Sequence, residues 1–207
     1  WPIDERAADP PPGWKGWPDG KKFAFVLTHD AETEAGRDRC LDLARIDREF
    51  GFVSSFNFIP EKYDVPTELR EELTRQGFEV GVHDLRHDGK LFRSREEFRA
   101  NAESINRYLK GWGAAGFRAG SMHRNLDWFH SLDIEYDAST FDTDPFEPQP
   151  GGTGKIFPFW VDSSNGARKG YVELPYTLPQ DFTLFVILKE ESIDIWKRKV
   201  DWIASRG

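Results

Sequence analysis

The chain has 207 residues, 38% of them hydrophobic and 31% charged, with a formal net charge of −8 and one cysteine. This is the length and balance of a single globular domain with its own core. The acidic surplus, unrelieved by any Lys/Arg cluster, argues against nucleic acid and anionic membranes as partners. A lone cysteine excludes an internal disulfide or a cysteine-built zinc site, and no apolar run approaches the ~20 residues that cross a bilayer.

Residues 1–22 are rich in Pro and Trp without a regular period, and predict an irregular strap anchored by Trp14 and Trp17. Residues 23–207 form the domain proper. Phe23 to His29 reads as a buried parallel strand. Arg37 to Phe50 carries Leu41, Ala44 and Ile46 at helical spacing, with Cys40 as a small core residue and Gly51 as a stop. Phe52 to Ile59 is a second strand, Pro66 to Gln76 a helix, and Phe78 to His83 a third strand. Ser94, with Glu97 three residues on, opens a helix to about Leu109 as a capping box. Gly116 to Gly120 is a short strand, Leu126 to Leu132 a short helix and Ile134 to Ser139 a strand. Phe141 to Arg168 is a long Gly/Pro-rich loop, Thr183 to Leu188 an apolar run of strand length, Tyr171 to Tyr176 a strand and Glu190 to Ser205 a helix. Repeated strand-then-helix order predicts an α/β fold of parallel strands with outer helices. A doubly wound sheet and a (β/α) barrel both fit.

Chemistry-bearing residues gather where strands end, the end that builds active sites in such folds. In Thr28-His29-Asp30-Ala31-Glu32, strand alternation puts Asp30 and Glu32 on one face and His29 on the other. His83 and His87 meet if their loop makes one helical turn. Glu32, His83 and His87 then form a two-histidine, one-carboxylate metal site with positions open to water. Arg118 follows a short strand and suits pairing with a site carboxylate, and Asp137 supports the site from behind. Each pattern alone has an ordinary reading: solvated loop acids, exposed histidines, a surface arginine. Asp142 and Asp144 read as turn residues. Phe157, Phe159 and Trp160 wall a sugar pocket or pack under the strap. His130 is structural, and His123, just beyond Arg118, is left unassigned.

In this order the motifs resemble those of the polysaccharide deacetylase (NodB-homology) family. Thr28 to Glu32 is similar to its Thr-Phe-Asp-Asp motif, His83 to His87 to its His-x-x-x-His, Phe117-Arg118 to its Arg motif, and Asp137 to Ser139 to its Asp-x-Ser. The nearest branch has Asp-x-Asp or Asp-x-Glu in the first motif and includes deacetylase-like proteins of bacterial surface-polysaccharide synthesis. Ala31 stands at the family's second Asp, which passes the ligand role to Glu32, and Ala119-Gly120 replaces the usual Pro. The resemblance implies a distorted (β/α)7-type barrel and a divalent metal, zinc first among them, held by Glu32, His83 and His87. It implies Asp30 as general base, Arg118 holding it and Asp137 in support, acting on an N-acetylated carbohydrate. The family's Leu-x-His, on a last strand that carries its general acid, has no counterpart before Gly207, so the domain is expected to lack that strand.

Two rival readings keep the same ligands. One is hydrolysis of a cyclic amide or ureide, and the other a non-catalytic sugar-binding relative that retains its metal. The chain opens at Trp1 without a signal-like segment and carries one cysteine, which favours the cytoplasm, with the start read as trimmed.

Overall fold

A computed structural model describes residues 2–147, 149–163 and 169–206; part of the long loop lies outside the described residues. Seven strands form one sheet: β1 (Thr28–Ala31), β2 (Ser55–Phe58), β3 (Glu79–His83), β4 (Gly116–Arg118), β5 (Tyr136–Asp137), β6 (Phe159–Val161) and β7 (Tyr171–Glu173). Their order is β1-β2-β3-β4-β5-β7-β6. All neighbours are parallel except β6, which lies antiparallel to β7. The helices are α1 (Glu34–Asp38), α2 (Cys40–Glu49), α3 (Thr67–Arg75), α4 (Arg95–Trp112), α5 (Leu126–Phe129) and α6 (Asp194–Arg206). This is the α/β barrel-type arrangement expected, with β1 and β6 as separate edges: the sheet does not close among the described residues.

Alternation along the strands sorts the two faces. Phe56, Phe58, Val80, Val82 and Phe117 are buried against the helices. Cys40 and Ala44 of α2 and Leu73 of α3 meet the first three of these. Phe98, Ala102, Ile105 and Leu109 of α4, one every three or four residues, cover Val82 and Phe117. Ser94 caps α4 by accepting the Glu97 N–H at 3.1 Å, and Gly113, at φ 67°, ends it in a left-handed turn. Cys40 is buried, and burial pushes its thiol up to about 11, which suits a packing role.

Several expectations are corrected. Phe23 to Leu27 is not strand, and pairing begins at Thr28. Phe23, Phe25 and Val26 stay exposed, with the Phe25 ring 5.9 Å from that of Phe52. Thr183 to Leu188 is not strand either: Phe182–Ile187 forms a π-helical turn. Asp142 is a buried ion-pair partner of Lys199 of α6, 2.5 Å away. Asp144 does open a turn, its carbonyl accepting the Glu147 N–H at 3.4 Å and its Oδ1 the Phe146 N–H at 2.9 Å, and it is buried beneath the Tyr176 hydroxyl at 2.7 Å. Phe157 packs on Trp14 and Trp17, as the strap reading has it, with ring centroids 5.2 and 6.3 Å away. Trp160 lies exposed on β6, a strand that alternation did not reveal. Among the described residues no helix is long and apolar enough to cross a membrane.

Candidate active site

The inner face of the sheet is polar and in register. Asp30 pairs with Asn57 across β1–β2, Asn57 with Gly81 across β2–β3, and His83 with Arg118 across β3–β4. Parallel register therefore lays these side chains side by side at the strands' carboxyl end. His29, one residue out of step, points the other way, where its Nε2 meets Asp47 Oδ2 at 2.9 Å and its ring packs on Phe56.

Both Asp30 oxygens are held. Asn57 Nδ2 donates to Oδ1 at 2.9 Å, and Arg118 Nε lies 2.6 Å from Oδ2 in an ion pair. Ser55 Oγ in turn donates to Asn57 Oδ1 at 3.0 Å. Gly81 makes room for that amide, since a Cβ there would come within 2.1 Å of Asn57 Oδ1. Burial opposes ionisation of Asp30, but Arg118, His83 and Asn57 outweigh it and keep the carboxyl below its usual range. Arg118 is itself buried, donates from Nη1 to Ala138 O at 3.0 Å, and lies 6.0 Å over the Tyr176 ring.

Glu32, His83 and His87 converge beside this pair, with one possible ligand atom from each lying within 4.8 Å of the others. Glu32 Oε1 is 3.3 Å from His87 Nε2 and 3.8 Å from His83 Nε2. Those two buried Nε2 atoms have no hydrogen-bond partner among the described residues. His83 Nδ1 meets Arg118 O at 3.0 Å, which fixes the ring and leaves Nε2 facing the cluster. Zinc ligands at ~2.0–2.2 Å stand ~3.3–3.6 Å from one another in a tetrahedral set. The residues present thus fit a divalent ion in donor type, and the 3.3 and 3.8 Å separations from Glu32 are close to that spacing. The two imidazoles hold the Glu32 carboxyl far below its usual range, and Glu32 raises the His87 pKa.

The loop that carries the histidines is set by a residue the sequence reading passed over. Asp84, at φ 58°, accepts from the Leu85, Arg86 and His87 N–H groups through Oδ1 and from the Gly120 N–H through Oδ2. Gly120 is a close-approach residue, because a Cβ would stand 2.6 Å from Asp84 Oδ2 and 2.8 Å from His87 Cδ2. Asn57 was also passed over, although a lone amide in Ser-Phe-Asn-Phe, out of step with two phenylalanines, was the signal for it.

Asp137 closes β5. Its register partner is Phe117, not Arg118, so alternation puts its side chain on the helix side, behind the arginine. There it is fully buried, and both its oxygens accept from Ser139. His123 is 6.3 Å from the Phe92 ring, and His130 Nε2 meets Asp162 O at 3.1 Å.

No protein-family model and no curated protein matches the chain. Solved structures do. A putative polysaccharide deacetylase from Mycobacterium smegmatis superposes with a TM-score of 0.69 at 19% identity, over 92% of this chain and 75% of its own. PuuE allantoinase gives a TM-score of 0.69 at 13% identity, over 99% and 80%. The Xyl-CE4 domain of a multidomain xylanase from the hindgut metagenome of Trinervitermes trinervoides aligns over 58% of this chain at a TM-score of 0.43, too little to weigh. The chain thus has the fold shared by that deacetylase and that allantoinase.

Proposed function

We propose that this protein is a metal-dependent amide hydrolase that removes N-acetyl groups from a sugar or polysaccharide. The observation that carries the reading is the juxtaposition, at one strand end, of a ligand set with a separate, arginine-held carboxylate. The fold shared with a protein described as a deacetylase supports it.

Glu32, His83 and His87 would hold the ion. When bound, a divalent metal there acts as a Lewis acid towards an acyl carbonyl and makes a water easier to deprotonate. Asp30 takes the proton from the attacking water, as an ionised carboxylate whose Oδ1 and Oδ2 are aimed by Asn57 and Arg118. Arg118 keeps Asp30 charged before the reaction and is immobilised by Ala138 O and the Tyr176 ring. Asp84 holds the loop in the shape that keeps His87 opposite Glu32.

Hydrolysis of a cyclic amide or ureide is the second reading, favoured by the equal TM-score with PuuE allantoinase. Protein loaded with zinc, and separately with other divalent metals, is to be assayed for acetate from N-acetylated oligosaccharides and for ring-opened product from cyclic ureides. Acetate alone supports deacetylation, and ring opening alone replaces it with the second reading. Stoichiometric metal binding with neither product, together with binding of an N-acetylated oligosaccharide by calorimetry, would favour a metal-containing sugar binder.

A further inference from the structure

Glu173 takes no part in the mechanism above, yet it is fully buried at the carboxyl end of β7, in register with Asp137 of β5. Its Oε1 accepts from both the N–H and the hydroxyl of Thr140, at 3.1 and 2.6 Å. Its Oε2 has no donor among the described residues. What faces it is the Asp137 carboxylate, another acceptor, whose own oxygens are taken by the Ser139 N–H and hydroxyl at 2.8 Å each. Two facing carboxylates without solvent repel strongly, and a single proton between them turns the repulsion into a hydrogen bond. Burial and the neighbouring Asp137 charge push the Glu173 carboxyl upward, and because both Asp137 oxygens already accept from Ser139 while Glu173 Oε2 accepts from no described residue, the shared proton belongs on Oε2.

The pair pins two successive residues. Asp137 holds Ser139, Glu173 holds Thr140, and Ser139 Oγ also accepts the Ala119 N–H at 2.8 Å. Ala138 is thereby left with its carbonyl directed at Arg118 Nη1, 3.0 Å away. A path of contacts runs from Glu173 through Asp137, the 138–140 turn and Arg118 to Asp30. We infer that Glu173 is a positioning residue of the active site: joined to Asp137 by one carboxyl–carboxylate hydrogen bond, it shapes the turn that aims Arg118 at Asp30.

The inference rests on the hydrolase reading for its kinetic consequence and on geometry alone for the rest. Gln at 173 can accept from Thr140 through its oxygen and donate to Asp137 through its amide, whereas Leu can do neither. Glu173→Gln should therefore keep kcat within ~3-fold, while Glu173→Leu should lose ~10–100-fold in kcat with KM and metal content held, the range for supporting residues around metal sites. At high pH the wild type loses the shared proton. The charged groups around it are Asp137 and Arg118, with the Tyr171 hydroxyl on the same strand. A second negative charge then breaks the pair, so kcat should decline on the alkaline side, and Glu173→Gln, with no proton to lose, should lack that decline.

Equal kcat losses in both variants, or none in either, would overturn the inference. Where Glu173→Leu does not fold, the alkaline limb decides, and a Gln variant that keeps it also overturns the inference. A readout without turnover is the Arg118 Nε–H resonance in nitrogen-15 NMR, assigned with Arg118→Lys. Displacement by Leu and not by Gln supports the positioning role, and a signal unmoved by either ends it. A wild type that releases no acetate would end the deacetylase reading while the Arg118 signal still judges Glu173.

Discussion

The two faces of the same strands have opposite chemistry. On the helix side, Phe56, Phe58, Val82 and Phe117 are at most 1% exposed. Burying each contributes ~1.5–3 kcal/mol. On the inner side, one residue out of phase, lie Asp30, Asn57, His83 and Arg118. Buried charges cost stability unless paired and hydrogen-bonded, and here Asp30 has Arg118 and Asn57 while His83 has Arg118 O. Among the described residues, the Nε2 atoms of His83 and His87 lack a hydrogen bond where a ligand set faces inward, as does Arg118 Nε, which has its ion pair to Asp30 instead. One face supplies the stability that lets the other hold strained, charged geometry.

This contrast can be broken most strongly at Asp30. Asp30→Asn should lower kcat ~10²–10⁴-fold by removing the base. Metal content by elemental analysis should be unchanged; if the variant lost its metal, Asp30 would belong with the ligands. Across the sheet, Phe117→Ala should lower stability by ~3–5 kcal/mol in urea unfolding. Its folded fraction should still bind metal at wild-type affinity; a matching loss of affinity would mean that the faces are not separable.

Lys199 and Asp142 sharpen the comparison, because they form a buried ion pair outside the inner face. Lys199→Met should cost ~3–5 kcal/mol at neutral pH by stranding the carboxylate. Burial raises the Asp142 pKa despite Lys199. A carboxyl raised in the folded state favours folding at pH below its unfolded value, and that advantage is lost as pH rises through the folded one. The Lys199→Met penalty should therefore shrink as the pH falls below the raised Asp142 value. Unfolding curves across the acid range check this, and a constant penalty would assign the loss to packing. The smallest effect is expected at Gly81. Gly81→Ala should cost ~1–3 kcal/mol by overpacking against Asn57, and kcat should fall as Asn57 moves off Asp30. Lost stability with unchanged kcat would show that Asn57 is dispensable for aiming the base.

Much of the candidate site's geometry was legible in the sequence. Asp30 and Glu32 on one face with His29 on the other, and His83 with His87 at a strand end, follow from alternation and loop spacing. The structure brings Glu32, His83 and His87 together and sets Asp30 against Arg118. The Ser94 cap was written in local sequence and holds. What escaped was non-local. Glu173 stands 36 residues after Asp137 in the chain, and nothing in either segment says that they face one another. Phe23 to Leu27 and Thr183 to Leu188 look like strands by composition, but strand formation needs a neighbour to pair with. Asp144 is a turn residue as read, but that Lys199 buries Asp142 and Tyr176 covers Asp144 depends on segments far along the chain.

By itself the sequence determined the strand–helix alternation, the polar phase of β1 and β3 and the identity of the metal-ligand candidates, because these depend on periods of two and of three to four residues and on side-chain chemistry. Only the tertiary structure decided the register. Sliding one strand by a single residue exchanges its faces, and that choice put Arg118 beside His83, Asp137 behind Arg118, and Glu173 against Asp137.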